Sequence, residues 1–208
     1  MAMETKQARV KKIIATLKKT HPDAKLALNF FSPLELLVAL ILAAQARDDL
    51  VNSVTADLFK KYRTPQDWAG LKEEDVRHIN FYRNKTKSIQ GTAGVLIKKF
   101  DGKVPGNLDD LLALPGVGRK TAKIILGNTF GQPAIGVDTH VMRLSQRLGL
   151  TGQTNPDKIE AELTPLVPAK DAVKFCHLLQ FHGRRVCNAK KPDCQNCSIE
   201  KLCPKVGV

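Results

Sequence analysis

A proline and two glycines within four residues, Pro115-Gly116-Val117-Gly118, forbid a helix interior at a point where two helix-forming stretches meet. Upstream, Asn107-Leu108-Asp109-Asp110-Leu111-Leu112-Ala113 predicts a short helix capped by Asn107. Downstream, Arg119 to Phe130 is helix-forming, carries apolar Ala122, Ile124, Ile125 and Leu126, and closes at Gly131. The local structure is therefore helix, glycine hairpin, helix. Gly116 and Gly118 let the hairpin backbone come close to a partner. The open amides at the start of the second helix suit an anion, above all a phosphate. Lys120 stands one residue into that helix, and Asp138 follows eighteen positions later, after a turn at Pro133.

The rest of the chain reads in the same helical grammar. Val10, Ile13, Ile14 and Leu17 recur at helical spacing and predict an amphipathic helix over about 5–19. Ser32-Pro33-Leu34-Glu35 is a start signal with a cap, a proline at the first helical position and a capping-box glutamate. The helix that it opens, 33–45, is apolar nearly all round and should be buried. Asp48 is expected to cap a helix over 49–62, and Thr64-Pro65-Gln66-Asp67 repeats the start signal for another short helix. Further helices are expected over 73–79, 85–100, 139–148, 155–166 and 168–183. No sustained period-two run occurs, so the fold class is all-α.

Lys and Arg number 33 against 20 Asp and Glu, a net charge of +13 with a pI near 9.7. Such a chain most often meets a polyanion, with nucleic acid the leading candidate. The longest apolar run, Leu36 to Ala44, has nine residues, whereas a membrane-crossing helix needs roughly twenty. The opening MAMETKQARVKK lacks the apolar core of a secretory signal, so an intracellular protein is expected. Five cysteines in that compartment point to metal ligands or buried thiols rather than disulfides. Cys187, Cys194, Cys197 and Cys203 fall within seventeen residues, a spacing that suits a tetrahedral zinc or an iron–sulfur cluster. Cys176, among Phe175, Leu178 and Leu179, reads as a buried structural thiol. Arg184, Arg185, Lys190 and Lys191 surround the first of the four cysteines and form a candidate phosphate clamp.

LPGVGRKTA followed by VDTHVMR resembles the helix-hairpin-helix DNA glycosylases, and among them the endonuclease III family. The cysteine spacing extends the likeness over nearly the whole chain. The resemblance implies two helical lobes, a six-helix barrel over 23–133 and a second lobe made of 1–22 plus 134–208, with DNA and the active site in the cleft between. It implies that the four cysteines hold a [4Fe–4S] cluster. It also implies a monomeric, bifunctional DNA glycosylase/AP lyase of base excision repair, acting on double-stranded DNA that contains damaged bases or abasic sites. Oxidised pyrimidines such as thymine glycol are the expected lesions.

By the same likeness Lys120 attacks the sugar C1′, displaces the base and forms a Schiff base, after which β-elimination cleaves the strand. A lysine amine can do this only when deprotonated. Asp138 is expected to stabilise the oxocarbenium-like charge, and to cap its helix as well. Gly116, Gly118 and Arg119 become backbone contacts to DNA. Gln45 becomes the plug that fills the hole left by a flipped base, and Phe81-Tyr82 a wedge in the opposite strand, with core packing as the competing role for both aromatics. His140 and Arg143 are expected to face the DNA, as are Arg184, Lys190 and Lys191.

The chain departs from the family pattern where Arg47-Asp48 replaces Thr-Asp, where Asn80 stands for glycine and where Thr86 stands for alanine. These changes bear on lesion preference and leave the catalytic pair in place. The competing functions are an abasic-site or mismatch specialist, a non-catalytic DNA-binding module, which loss of Lys120 or Asp138 would have favoured, and a small electron carrier, which a charge of +13 suits poorly.

Overall fold

The computed structural model describes residues 5–208, and among them only helices, turns and loops occur. The chain divides into two compact units, Leu26–Gly131 and the described residues up to Lys25 together with Gln132–Val208. Among the described residues no helix is long and apolar enough to cross a membrane.

In the unit Leu26–Gly131, α2 (Pro33–Ala43) packs against α3 (Asp48–Lys61), α5 (Tyr82–Lys99) and α7 (Arg119–Thr129). Helix α2 is central because it is apolar on every side: Leu36, Leu37, Val38, Ala39, Ile41 and Leu42 are all buried. Its start is set by Ser32, whose hydroxyl accepts the Glu35 amide at 3.2 Å. The Glu35 carboxylate accepts the Phe31 amide at 2.6 Å, one residue earlier than a capping box requires. Helix α3 starts one residue before expectation. Arg47 occupies its cap position without a side-chain capping bond, and Asp48 and Asp49 instead lie in the first turn, where the helix dipole favours negative charge. Helix α4 (Pro65–Ala69) has the full capping box between Thr64 and Asp67, and its Trp68 is buried against the stacked ring of Tyr62. A 3₁₀ turn, Glu73–Val76, leads to α5, and α6 (Leu108–Leu112), capped by Asn107, packs on α7.

In the other unit, α1 (Lys6–Thr20) buries the predicted stripe Val10, Ile13, Ile14 and Leu17. These residues share a core with Val141 and Leu144 of α8 (Thr139–Arg147), Ile159 and Leu163 of α9 (Pro156–Leu163), and Phe175, Leu178 and Leu179 of α10 (Ala172–Arg185). The expected helix over 168–183 is split: a 3₁₀ turn, Ala169–Asp171, precedes α10. Cys176 packs against this core, and burial pushes its thiol up to about 12, so it stays protonated.

Candidate active site

The glycine hairpin is seated on α5. Ser88, Gly91 and Thr92 lie on one face of that helix, at positions i, i+3 and i+4. The Thr92 hydroxyl donates to the Pro115 carbonyl at 2.7 Å. Gly116 has φ +77°, and a Cβ built there would stand 2.8 Å from the Ser88 Cβ. Gly118 differs: a Cβ there meets nothing within 4 Å. The fold therefore needs glycine at 116, while the bare backbone at 118 leaves room for something outside the fold. We predict that Gly116→Ala destabilises by roughly 1–3 kcal/mol from left-handed strain alone, read as a lower urea midpoint at unchanged slope. Gly118→Ala should leave that midpoint in place and weaken DNA affinity; a shared stability loss would contradict this division.

Helix α7 begins directly after Gly118, which caps it without a side-chain bond. Lys120 is the second helical residue and is exposed. Among the described residues its ammonium has no hydrogen-bond or ion-pair partner. Arg119 and Lys123 flank it on the same helix.

Besides Asp101 (φ 52°) in the turn after α5, this unit carries left-handed backbone at two residues with side chains: Gln45 (φ 54°), just beyond α2, and Phe81 (φ 58°), just before α5. Both are exposed, Phe81 at 60%. Such strain persists only where surrounding contacts impose it, and it gathers at functional tips. Here the Asn80 amide donates to the Gln45 carbonyl at 3.4 Å, and the buried Lys85 ammonium donates to the Leu42 carbonyl at 2.7 Å, at the C-terminal end of α2. Burial lowers the Lys85 pKa, and the negative end of the α2 dipole offsets part of the cost of its charge. Tyr82 is half-buried, with the Arg83 guanidinium over its ring.

In the second unit Asp138 is the N-cap of α8. Its Oδ1 accepts the amides of His140 at 2.9 Å and Val141 at 2.7 Å, and its Oδ2 accepts the side-chain amide of Gln180 at 2.6 Å. Arg143 donates from Nη2 to the carbonyls of Gly183 at 3.0 Å and Cys187 at 3.1 Å, with His140 Nδ1 at 3.2 Å from the same nitrogen. A Cβ on Gly183 would stand 2.8 Å from His140 Nδ1 and 2.9 Å from Arg143 Nη2, so a side chain there would displace that pair.

Cys187, Cys194, Cys197 and Cys203 line one cavity, together with Leu144, Arg147 and His182 among others. Arg147 donates to the Cys187 sulfur at 3.3 Å and to the carbonyls of Asn188 and Ala189 at 2.8 Å each. The Lys205 amide donates to the Cys203 sulfur at 3.4 Å. His182 Nε2 lies 3.3 Å from the Cys197 sulfur, and its Nδ1 lies 3.1 Å from Nε2 of buried His21. Lys190 and Lys191 are exposed beside this loop. Arg185 pairs with both oxygens of Asp23, at 3.0 and 2.7 Å, and its guanidinium stacks over Phe181, so its charge is spent within the fold.

The model of the HhH-GPD superfamily, described as base excision DNA repair proteins, matches residues 38–169. Endonuclease III of Synechocystis sp. is 44% identical over 97% of this chain and 94% of its own. Two solved structures superpose with a TM-score of 0.89 at 42% identity, covering 98% of this chain and 97% of theirs. One is a non-covalent endonuclease III–DNA complex, the other a trapped endonuclease III–DNA covalent intermediate. The chain belongs to the endonuclease III family.

Set against the family pattern, several residues that shape the site carry no motif. Gln180 is a single amide in an apolar helix turn, and its sequence gives no reason to pair it with Asp138. Arg147 and His182 both reach cysteine sulfurs, yet Arg147 reads as an ordinary basic residue in the last turn of a helix. Asn80, at a position where the endonuclease III family commonly has glycine, ties one exposed tip to the other.

Proposed function

We propose that this protein is a DNA glycosylase with AP lyase activity in base excision repair, and that oxidised pyrimidines such as thymine glycol in duplex DNA are its preferred substrates. The reading rests on one observation above the others. An exposed lysine that bonds to no other side chain among the described residues stands directly behind a hairpin whose Gly118 leaves its backbone open to a close approach.

In this reading the hairpin amides bind the DNA backbone at the positive end of α7. Gln45 and Phe81 enter the duplex as plug and wedge, and the flipped nucleotide is presented at its C1′. The exposure of Phe81 favours the wedge over core packing. Deprotonated Lys120 attacks C1′ as the bond to the base breaks, and the base leaves with the bonding electrons and takes up a proton. The carboxylate of Asp138 stabilises the positive charge that develops on the sugar. The C1′–O4′ bond then opens, O4′ takes up a proton and the Lys120 adduct becomes a Schiff base, which acidifies the C2′ proton; removal of that proton expels the 3′ phosphate. Water then releases the sugar fragment from Lys120. His140, Arg184, Lys190 and Lys191 supply further contacts to phosphate, and Arg143 is assigned to the scaffold because its guanidinium is bound to carbonyls of α10 and the cysteine loop.

A [4Fe–4S] cluster is assigned to Cys187, Cys194, Cys197 and Cys203. When bound it supplies four metal–thiolate bonds that close the loop, and the proposed reaction moves no net electrons. The donors at the sulfurs support this. A thiolate can only accept, so His182 must donate from Nε2, its Nδ1 must accept from His21 Nε2, and His21 Nδ1 is left as a bare acceptor. That atom is buried and has no partner among the described residues, the less costly kind of orphan. The protein is assigned to the intracellular compartment that holds DNA, as a monomer of two lobes that follow the two compact units.

A panel of duplexes bearing thymine glycol, an abasic site or a G:T mismatch tests the substrate assignment. Strand cleavage should be fastest with thymine glycol among the base lesions and should also occur at the abasic site. Cleavage of the abasic duplex alone, or base release only at the mismatch, would overturn it in favour of a specialist.

A further inference from the structure

The Asp138 carboxylate is held from two directions that come from distant parts of the chain. Its Oδ1 is fixed by two backbone amides of its own helix, at 2.9 and 2.7 Å. Those cap bonds alone hold one oxygen. The other, Oδ2, is bound by Gln180 Nε2 at 2.6 Å, across 42 residues of sequence. Gln180 sits on α10 directly after Leu178 and Leu179, both 0% exposed, so the helix that carries it is locked in the core. Gln180 itself is half-buried, and holding its long side chain in one rotamer costs conformational entropy that the bond to Asp138 offsets.

We propose that Gln180 is a positioning residue for the reaction, holding Asp138 Oδ2 so that the carboxylate faces the developing charge in one orientation. The proposal rests on the assignment of Asp138 as the charge-stabilising carboxylate. A neutral amide suits this task better than lysine or arginine, because it fixes the oxygen without cancelling its charge. An ionised carboxylate has about four acceptor sites. Three are filled within the protein, which leaves one on Oδ2 for the substrate. Electrostatic stabilisation depends on such preorganisation, since a group that must turn during the reaction gives back part of its effect.

The test is a double-mutant cycle on single-turnover base release from thymine glycol duplex, with DNA affinity and thermal midpoint measured for each protein. Gln180→Met should slow the saturating rate about tenfold, the size expected for one hydrogen bond to a charged group, with affinity unchanged. Gln180→Glu should slow it further, by placing a second carboxylate against Asp138. In an Asp138→Asn background, which keeps the helix cap, Gln180→Met should add no further loss and Gln180→Glu should lose its penalty. Equal losses in both backgrounds, or a loss that follows the thermal midpoint, would mean that Gln180 only packs, and would overturn the proposal. If Asp138→Asn itself retains full activity, the assignment of Asp138 fails first, and the proposal falls with it.

Discussion

Lys120→Gln should reduce strand cleavage at thymine glycol by at least about a thousandfold while leaving duplex binding within about threefold of wild type. The amide cannot displace a base or form a Schiff base, so both chemical steps lose their nucleophile. Binding survives because the contacts assigned to the hairpin are made by backbone amides. The substitution should also be silent in stability. The Lys120 side chain is exposed and its ammonium has no partner among the described residues, and substitutions at such positions are usually within about 0.5 kcal/mol. Loss of cleavage with an unchanged thermal midpoint thus separates a chemical role from a structural one. Retained base release with loss of strand cleavage alone would point to water as the nucleophile.

Cys197→Ala is the second large effect. On the assignment proposed above it removes a cluster ligand, at the sulfur that lies 3.3 Å from His182, which in turn meets His21. Where a metal site closes a loop, its binding free energy is folding free energy. A loss of several kcal/mol is expected, and about 2–4 °C of melting temperature for each kcal/mol in a chain of this length. Iron content and the brown thiolate–iron absorbance should fall together. DNA affinity should weaken as well, because Lys190 and Lys191 project from the loop that the cysteines bracket. A Cys197→Ala protein with wild-type iron and melting temperature would remove Cys197 from the ligand set.

Much of the fold was legible because much of it is local. Caps at Ser32, Thr64, Asn107, Asp138 and Asn155 lie within three residues of the amides that they serve, and the α1 stripe is a matter of spacing. The hairpin announces itself through residues that a helix cannot hold. Errors arose where a local rule had two outlets. Asp48 has the chemistry of a cap, but α3 starts at it rather than after it, and the charge is used on the helix dipole. Helix α5 begins at Tyr82 and not Lys85, because Phe81 takes a left-handed conformation that nothing in a phenylalanine foretells. What stayed hidden is pairing across the fold. Gln180 with Asp138, Arg147 with Cys187 and His21 with His182 are separated by 42, 40 and 161 positions. Periodicity tells which face of a helix is buried but not which partner it meets there.

The most direct measurement is borohydride reduction during turnover of a thymine glycol duplex, followed by mass mapping of the cross-linked peptide. The account predicts a single adduct, on Lys120, formed with the strand cut at the lesion. Base release without any adduct, or an adduct on another amine, would contradict it.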